Sequence, residues 1–180
     1  MLSLYHTKNR NKQRLVIVTI DQSYTDFLRQ FDHRVSKNHD KDYIRPYIGV
    51  LLEVNHRKYF APLTSSGKGK KLHENPKRES ITFFPINECR YGGVNLNNMI
   101  PVVDGVYHEI DIDNIPEWNR RKMLQEQLRF LRTNEFTIVM KARKIHRLRV
   151  SGSLFENYAS VTCDFKLLEE KAEIYKNSLV

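Results

Sequence analysis

Residues 47–65 read YIGVLLEVNHRKYFAPLTS. Two apolar runs rich in β-branched and aromatic residues, 47–54 and 58–63, flank the polar Asn55, His56 and Arg57. Such runs favour a pleated strand, and a short polar gap between them predicts a β-hairpin. The second run ends at Pro62 and Leu63 and gives way to Thr64, Ser65, Ser66 and Gly67, followed by Lys68, Lys70 and Lys71. Hydroxyls orient a phosphate and ammonium groups neutralise it, so this strand end is the first place to look for phosphodiester chemistry.

Working outward, residues 15–20 are apolar enough for a buried strand. Ser23 and Asp26 have capping-box spacing, and Tyr24, Phe27, Leu28 and Phe31 share one face of the helix they would open. After a polar loop at 36–42 and the hairpin, residues 80–86 give a third strand with a proline near its end. Gly92 and Gly93 mark a turn, residues 94–103 are strand-like, and residues 107–113 alternate. Several short strands at close spacing predict a small, strongly curved barrel within an α+β fold. The remainder is helical: Pro116 suits a first turn, Trp118, Leu124, Leu128 and Leu131 form a stripe, and Asp164 can cap a last helix. Residues 15–180 make one domain behind a basic tail, residues 1–14, that carries Lys8, Arg10, Lys12 and Arg14.

The 180 residues carry a formal net charge of +9 and have a pI of about 9.6. That balance suits a polyanion, and nucleic acid before an acidic small molecule, because bound phosphates release condensed counterions. A membrane span is not expected, since the longest apolar run, 15–18 with Ile20, falls far short of the ~20 residues a bilayer needs. Nor does the polar, basic start of the chain look like a secretory signal. Cys89 and Cys163 are isolated thiols, which suits a reducing cytoplasm. Without CxxC or HExxH spacing, no metal or other cofactor is expected. GKGKK at 67–71 lacks the P-loop pattern, and Asp40, Asp42, Asp111 and Asp113 read as solvated acids rather than a magnesium cluster.

Several segments together resemble the ToxN/AbiQ endoribonucleases, toxins of bacterial type III toxin-antitoxin and phage abortive-infection systems. They are YTDFLRQFDHRV from Tyr24, RPYIGVLLEV from Arg45, KYFAPLTS from Lys58, NNMIPV from Asn97, KMLQEQLRFLR from Lys122 and CDFKLLEEK from Cys163. The resemblance implies a compact, SH3-like, twisted antiparallel β-barrel similar to the MazF and Kid toxins, with peripheral helices. It implies a metal-independent cut in RNA that leaves a 2′,3′-cyclic phosphate and a 5′-hydroxyl. It also implies an antitoxin RNA of tandem pseudoknot repeats that binds a basic groove, closes toxins into cyclic assemblies and keeps cellular and phage RNA from being cut. The family's hydroxyl pair falls on Thr64 and Ser65, and its tyrosine on Tyr43. Family members have a lysine two residues after the serine, whereas here Gly67 stands there and Lys68 follows. The lysine beyond the family tyrosine has no direct match, and Arg45 is the nearest cation.

RNA carries its own nucleophile, so positioning the 2′-oxygen in line and stabilising the crowded phosphorane is sufficient for cleavage. Lys68 would supply charge, Thr64 and Ser65 would fix the non-bridging oxygens, and Tyr43 would assist proton transfer unless it only packs at the sheet edge. Around this centre Arg45, Lys58, Ser66, Lys70, Lys71 and His73 are expected RNA contacts. Farther out, Tyr91, Trp118, Arg120, Arg121 and Lys122, with Arg143, Lys144 and Arg147 of the segment KARKIHRLR, combine aromatics and cations as folded RNA demands. A solvated basic helix face would look the same, and two other readings stay open: a non-catalytic RNA-binding barrel and a barrel that poisons a protein target.

Overall fold

The computed structural model describes residues 15–40, 43–54, 56–65, 67 and 81–179. Its strands are β1 (Val16–Ile20), β2 (His39–Asp40), β3 (Tyr43–Ile44), β4 (Tyr47–Val54), β5 (Arg57–Thr64), β6 (Phe83–Pro85), β7 (Gly93–Asn95), β8 (Ile100–Val102) and β9 (Tyr107–Glu109). The hairpin forms where the two apolar runs place it: β4 and β5 pair antiparallel, with Tyr47 opposite Pro62 and Val54 opposite Arg57. His56 turns the chain with φ 63°. The register shifts between Ile48 and Leu52, a bulge that bends the hairpin.

Strand β5 is the hub of the main sheet. Along one edge it pairs with β4; along the other, Lys58, Tyr59 and Phe60 face β8, while Leu63 and Thr64 face β7. The hydrogen-bonded order is β6-β7-β5-β4-β1-β9, with β8 also on β5. Among the described strands β6 and β9 do not pair, so the sheet is open and curled; the closed SH3-like barrel expected from the strand pattern is not formed. Branching at β5 provides the curvature instead, because two short strands leave its edge at different points. Strands β2 and β3 form a separate ribbon.

Five helices among the described residues cover the sheet: α1 (Gln22–Phe31), α2 (Trp118–Thr133), α3 (Glu135–Val150), α4 (Glu156–Ala159) and α5 (Phe165–Asn177). Helix α1 starts one residue after Asp21, with no side-chain cap, so the capping box expected at Ser23 does not form. Ser23 lies inside the helix, with Oγ 3.2 Å from the Tyr175 hydroxyl of α5. Asp164 does cap α5, accepting from the Leu167 amide at 3.2 Å. The core contains the wholly buried Tyr24, Tyr47, Tyr59, Phe60, Phe83 and Phe165, each contributing on the order of 1.5–3 kcal/mol by leaving water.

Buried polar side chains fasten the helices to the sheet. Asn97, in the 3-10 turn Leu96–Asn98, donates from Nδ2 to the Val161 carbonyl at 2.6 Å, and its own carbonyl accepts the Cys163 amide at 2.9 Å. The Asp32 carboxylate accepts from the Arg34 guanidinium at 2.7 and 3.1 Å and from the Asp164 amide at 2.7 Å. Burial alone would push the Asp32 carboxyl up, but these donors outweigh it and hold it below the usual carboxylate range. On α3, His146 Nε2 lies 3.0 Å from Glu169 Oε1 and 3.2 Å from the Tyr59 hydroxyl, joining α3 and α5 to β5.

Candidate active site at the end of β5

Thr64 is the last residue of β5 and is only 4 % exposed. Its Oγ1 donates to the Gly93 carbonyl at 3.3 Å. Ser65 follows immediately, outside the strand and exposed. Of the expected hydroxyl pair, the structure therefore presents Ser65 to solvent and turns Thr64 to its neighbouring strand.

Two clamps fix the backbone beneath Ser65. On one side, the Leu63 amide donates to the Pro46 carbonyl at 2.9 Å, and Arg45 donates from Nη1 to the Leu63 carbonyl at 3.3 Å and from Nε to the Lys37 carbonyl at 2.9 Å. Two donors of the Arg45 guanidinium are thus engaged with main-chain carbonyls, one of them directly before Thr64. The same clamp carries the β2–β3 ribbon, and with it the backbone of Tyr43 opposite Asp40, to the end of β5. The Tyr43 side chain, Ser66, Lys68, Lys70, Lys71 and His73 lie outside the described residues.

On the other side stands the turn before β7. Gly92 has φ +78°, and a Cβ there would lie 1.8 Å from the Thr64 carbonyl oxygen and 3.0 Å from the Ser65 carbonyl carbon. At Gly93 a Cβ would lie 2.2 Å from the Phe83 ring. Both glycines are required by close backbone approach. Tyr91, immediately before them, is partly buried, and its carbonyl accepts from Gln127 Nε2 of α2 at 2.7 Å. The sequence reading recognised the Gly92–Gly93 turn but missed its contact with Thr64; the double glycine was the available signal. It also missed Gln127, a polar residue buried among the apolar positions of α2.

The other expected RNA contacts fall in three places. Lys58 lies at the opposite end of β5, six residues or ~20 Å of strand from Thr64, and its Nζ donates to Asp104 at 2.8 Å and Tyr107 at 3.2 Å. It is a paired residue at the far end of the strand from the mouth. Trp118 and Lys122 stack in the first turns of α2, Nζ 4.7 Å from the ring centre. Beside them Arg121 donates to the Ile115 carbonyl at 2.9 Å, and Arg120 is partly buried. Arg143, Lys144 and Arg147 come together on α3, lining an open groove of about 880 Å³ with Phe136, Met140 and the end of β4. Phe136 is 80 % exposed and Met140 47 %, so cations and apolar side chains share this surface. The buried Cys163 thiol is pushed up in pKa, first by burial and then by Asp32, and is no nucleophile.

The chain is similar to known proteins over most of its length. The sequence profile of the family described as "Toxin ToxN, type III toxin-antitoxin system" matches residues 16–173. The chain is 36% identical over 160 residues to endoribonuclease ToxN of Pectobacterium atrosepticum, covering 85% of this chain and 89% of that protein. It is 30% identical over 180 residues to endoribonuclease AbiQ of Lactococcus lactis subsp. lactis, covering 97% and 96% respectively. It superposes with TM-score 0.75 and 34% identity on a solved type III toxin, covering 91% of this chain and 98% of that one; the work on that toxin describes selective inhibition by a non-coding RNA pseudoknot. A mixed fold of helices on an antiparallel sheet, with this set of relatives, defines the class as an endoribonuclease toxin. Within that class, the chain belongs to the ToxN family of type III toxin-antitoxin systems.

Proposed function

We propose that this chain is a metal-independent endoribonuclease toxin that cuts RNA by attack of the 2′-hydroxyl, leaving a 2′,3′-cyclic phosphate and a 5′-hydroxyl. The observation that carries the reading is the exposure of Ser65 on a strand end clamped from both sides, by Arg45 at the Leu63 carbonyl and by Gly92 at the Thr64 carbonyl. A rigid support lowers the cost of holding the reacting groups in line. Ser65 donates to a non-bridging oxygen of the phosphate, and Thr64 orients the strand end through Gly93. Tyr43 and Lys68 are proposed as the proton-transfer group and the charge that stabilises the phosphorane.

We further propose that an RNA of tandem pseudoknot repeats silences the toxin and closes it into cyclic protein-RNA assemblies. The net charge of +9 and the grouping of Arg143, Lys144 and Arg147 with exposed Phe136 support an RNA partner. The role is phage abortive infection or locus maintenance, acting on cellular and phage RNA in the cytoplasm. The deciding experiment is incubation of purified protein with RNA in EDTA, with the fragment ends mapped. Cyclic-phosphate ends from the native chain and none from Ser65→Ala are expected; binding without cutting would instead make the chain an RNA-binding module.

A further inference from the structure

We infer that Arg90, held over the ring of Tyr91, is a phosphate ligand for substrate RNA on the wall of the β5 mouth opposite Arg45. The inference rests on the reading of Ser65 as the centre of that mouth. Its first support is conformational. Asn87, Glu88 and Cys89 have φ of 49°, 51° and 66°, three consecutive non-glycine residues in the left-handed region. Each such residue costs on the order of 1 kcal/mol, and strain of this kind persists only where the surroundings hold it in place.

The surroundings do so. The turn is closed by the Ile86 amide on the Gly92 carbonyl at 3.0 Å, the Arg90 amide on the Asn87 carbonyl at 2.9 Å and the Gly92 amide on the Cys89 carbonyl at 3.0 Å. Gln127 anchors it to α2 through the Tyr91 carbonyl. Gly92 then presses it against the Thr64–Ser65 backbone, so its apex has a fixed place relative to Ser65. Arg90 is two residues from Gly92, with Cα atoms at most ~7.6 Å apart.

The second support is chemical. Arg90 is exposed, its guanidinium carbon lies 5.5 Å from the Tyr91 ring centre, and no ion pair among the described residues includes it. An aromatic face holds the guanidinium plane and leaves its edge donors for a planar or tetrahedral oxyanion. By contrast, Lys58 and Arg45, which a charge count would rank equally, are occupied by Asp104 and by backbone carbonyls.

The test is binding of a single-stranded A-rich RNA across a salt series, in full-length protein carrying Ser65→Ala so that no cutting intervenes. Adding Arg90→Ala is expected to weaken binding by roughly tenfold, the size of one charge-assisted hydrogen bond. The slope of log affinity against log salt should fall by about 0.7, the value for one phosphate on a single strand. Arg90→Lys should keep the slope. Unchanged affinity and slope in Arg90→Ala would overturn the inference, and so would weaker binding with an unchanged slope, which signals a displaced turn rather than a lost ligand. Full cleavage by Ser65→Ala alone would remove the site and this inference with it, a result that no change in the Arg90 salt slope can imitate.

Discussion

The guanidinium of Arg45 donates to the carbonyl of Leu63 at 3.3 Å, one residue before Thr64, while it also holds the Lys37 carbonyl at 2.9 Å. A side chain that ties the segment around β3, with Tyr43, to the end of β5, next to Ser65, acts on both at once. Arg45→Ala is expected to lower stability by about 1–3 kcal/mol, the range for a hydrogen bond to a charged group. RNA cleavage should fall by a larger factor than the unfolding midpoint suggests. Arg45→Lys, which keeps charge without the planar fork, should rescue little. Urea unfolding and single-turnover cleavage, measured on the same preparations, check both expectations.

Gly92 and Gly105 both have positive φ, yet only Gly92 faces backbone: a Cβ at Gly105 would meet nothing within 4 Å. Gly105→Ala should therefore cost only local backbone strain, about 1 kcal/mol. Gly92→Ala must also move the Thr64 carbonyl, so it should cost more than twice as much and abolish cutting. Thermal unfolding of the two variants side by side separates close approach from conformational preference.

The Asp32–Arg34 pair ties the end of α1 to the start of α5. Asp32→Asn should destabilise the protein by about 3 kcal/mol, because it leaves the Arg34 charge without its partner. The folded carboxyl titrates below its unfolded value of about 3.9. The stabilisation is therefore complete above that value and is lost as pH falls through the lower folded value. Denaturation of native and variant protein between neutral and strongly acidic pH should show the gap narrowing only at the acid end.

Arg143, Lys144 and Arg147 share one exposed face of α3, so replacing all three by serine should leave the fold intact. Affinity for repeat RNA should drop, with the salt slope reduced by up to about 2 if each cation neutralises one phosphate. Cutting of a short RNA should be nearly unchanged. Filter binding and a cleavage assay on the same variant distinguish a docking surface from the proposed catalytic mouth.

Local patterning made much of this readable. Two apolar runs, 47–54 and 58–63, around a short polar gap identify the hairpin, and Asp164 identifies the start of α5. Residues 94–103 read as continuous strand, yet a 3-10 turn interrupts them at 96–98, where Asn97 donates to the carbonyls of Thr82 and Val161 and accepts from the Cys163 amide. Sheet closure was misjudged for a related reason: it depends on whether β6 and β9 meet, which no local period encodes. In the site, residue type singled out Ser65 as a candidate but did not show what engages Arg45 and Lys58. Their partners lie up to 49 residues away, and a cation's charge says nothing about what already holds it.

Because β5 shares hydrogen bonds with β4, β7 and β8, the nucleus of the fold and the platform under Ser65 are the same strand. Local fraying cannot disarm such a platform without melting the whole molecule. A cell that harbours this protein therefore finds no intermediate setting in that strand, since the support under Ser65 and the sheet around it give way together.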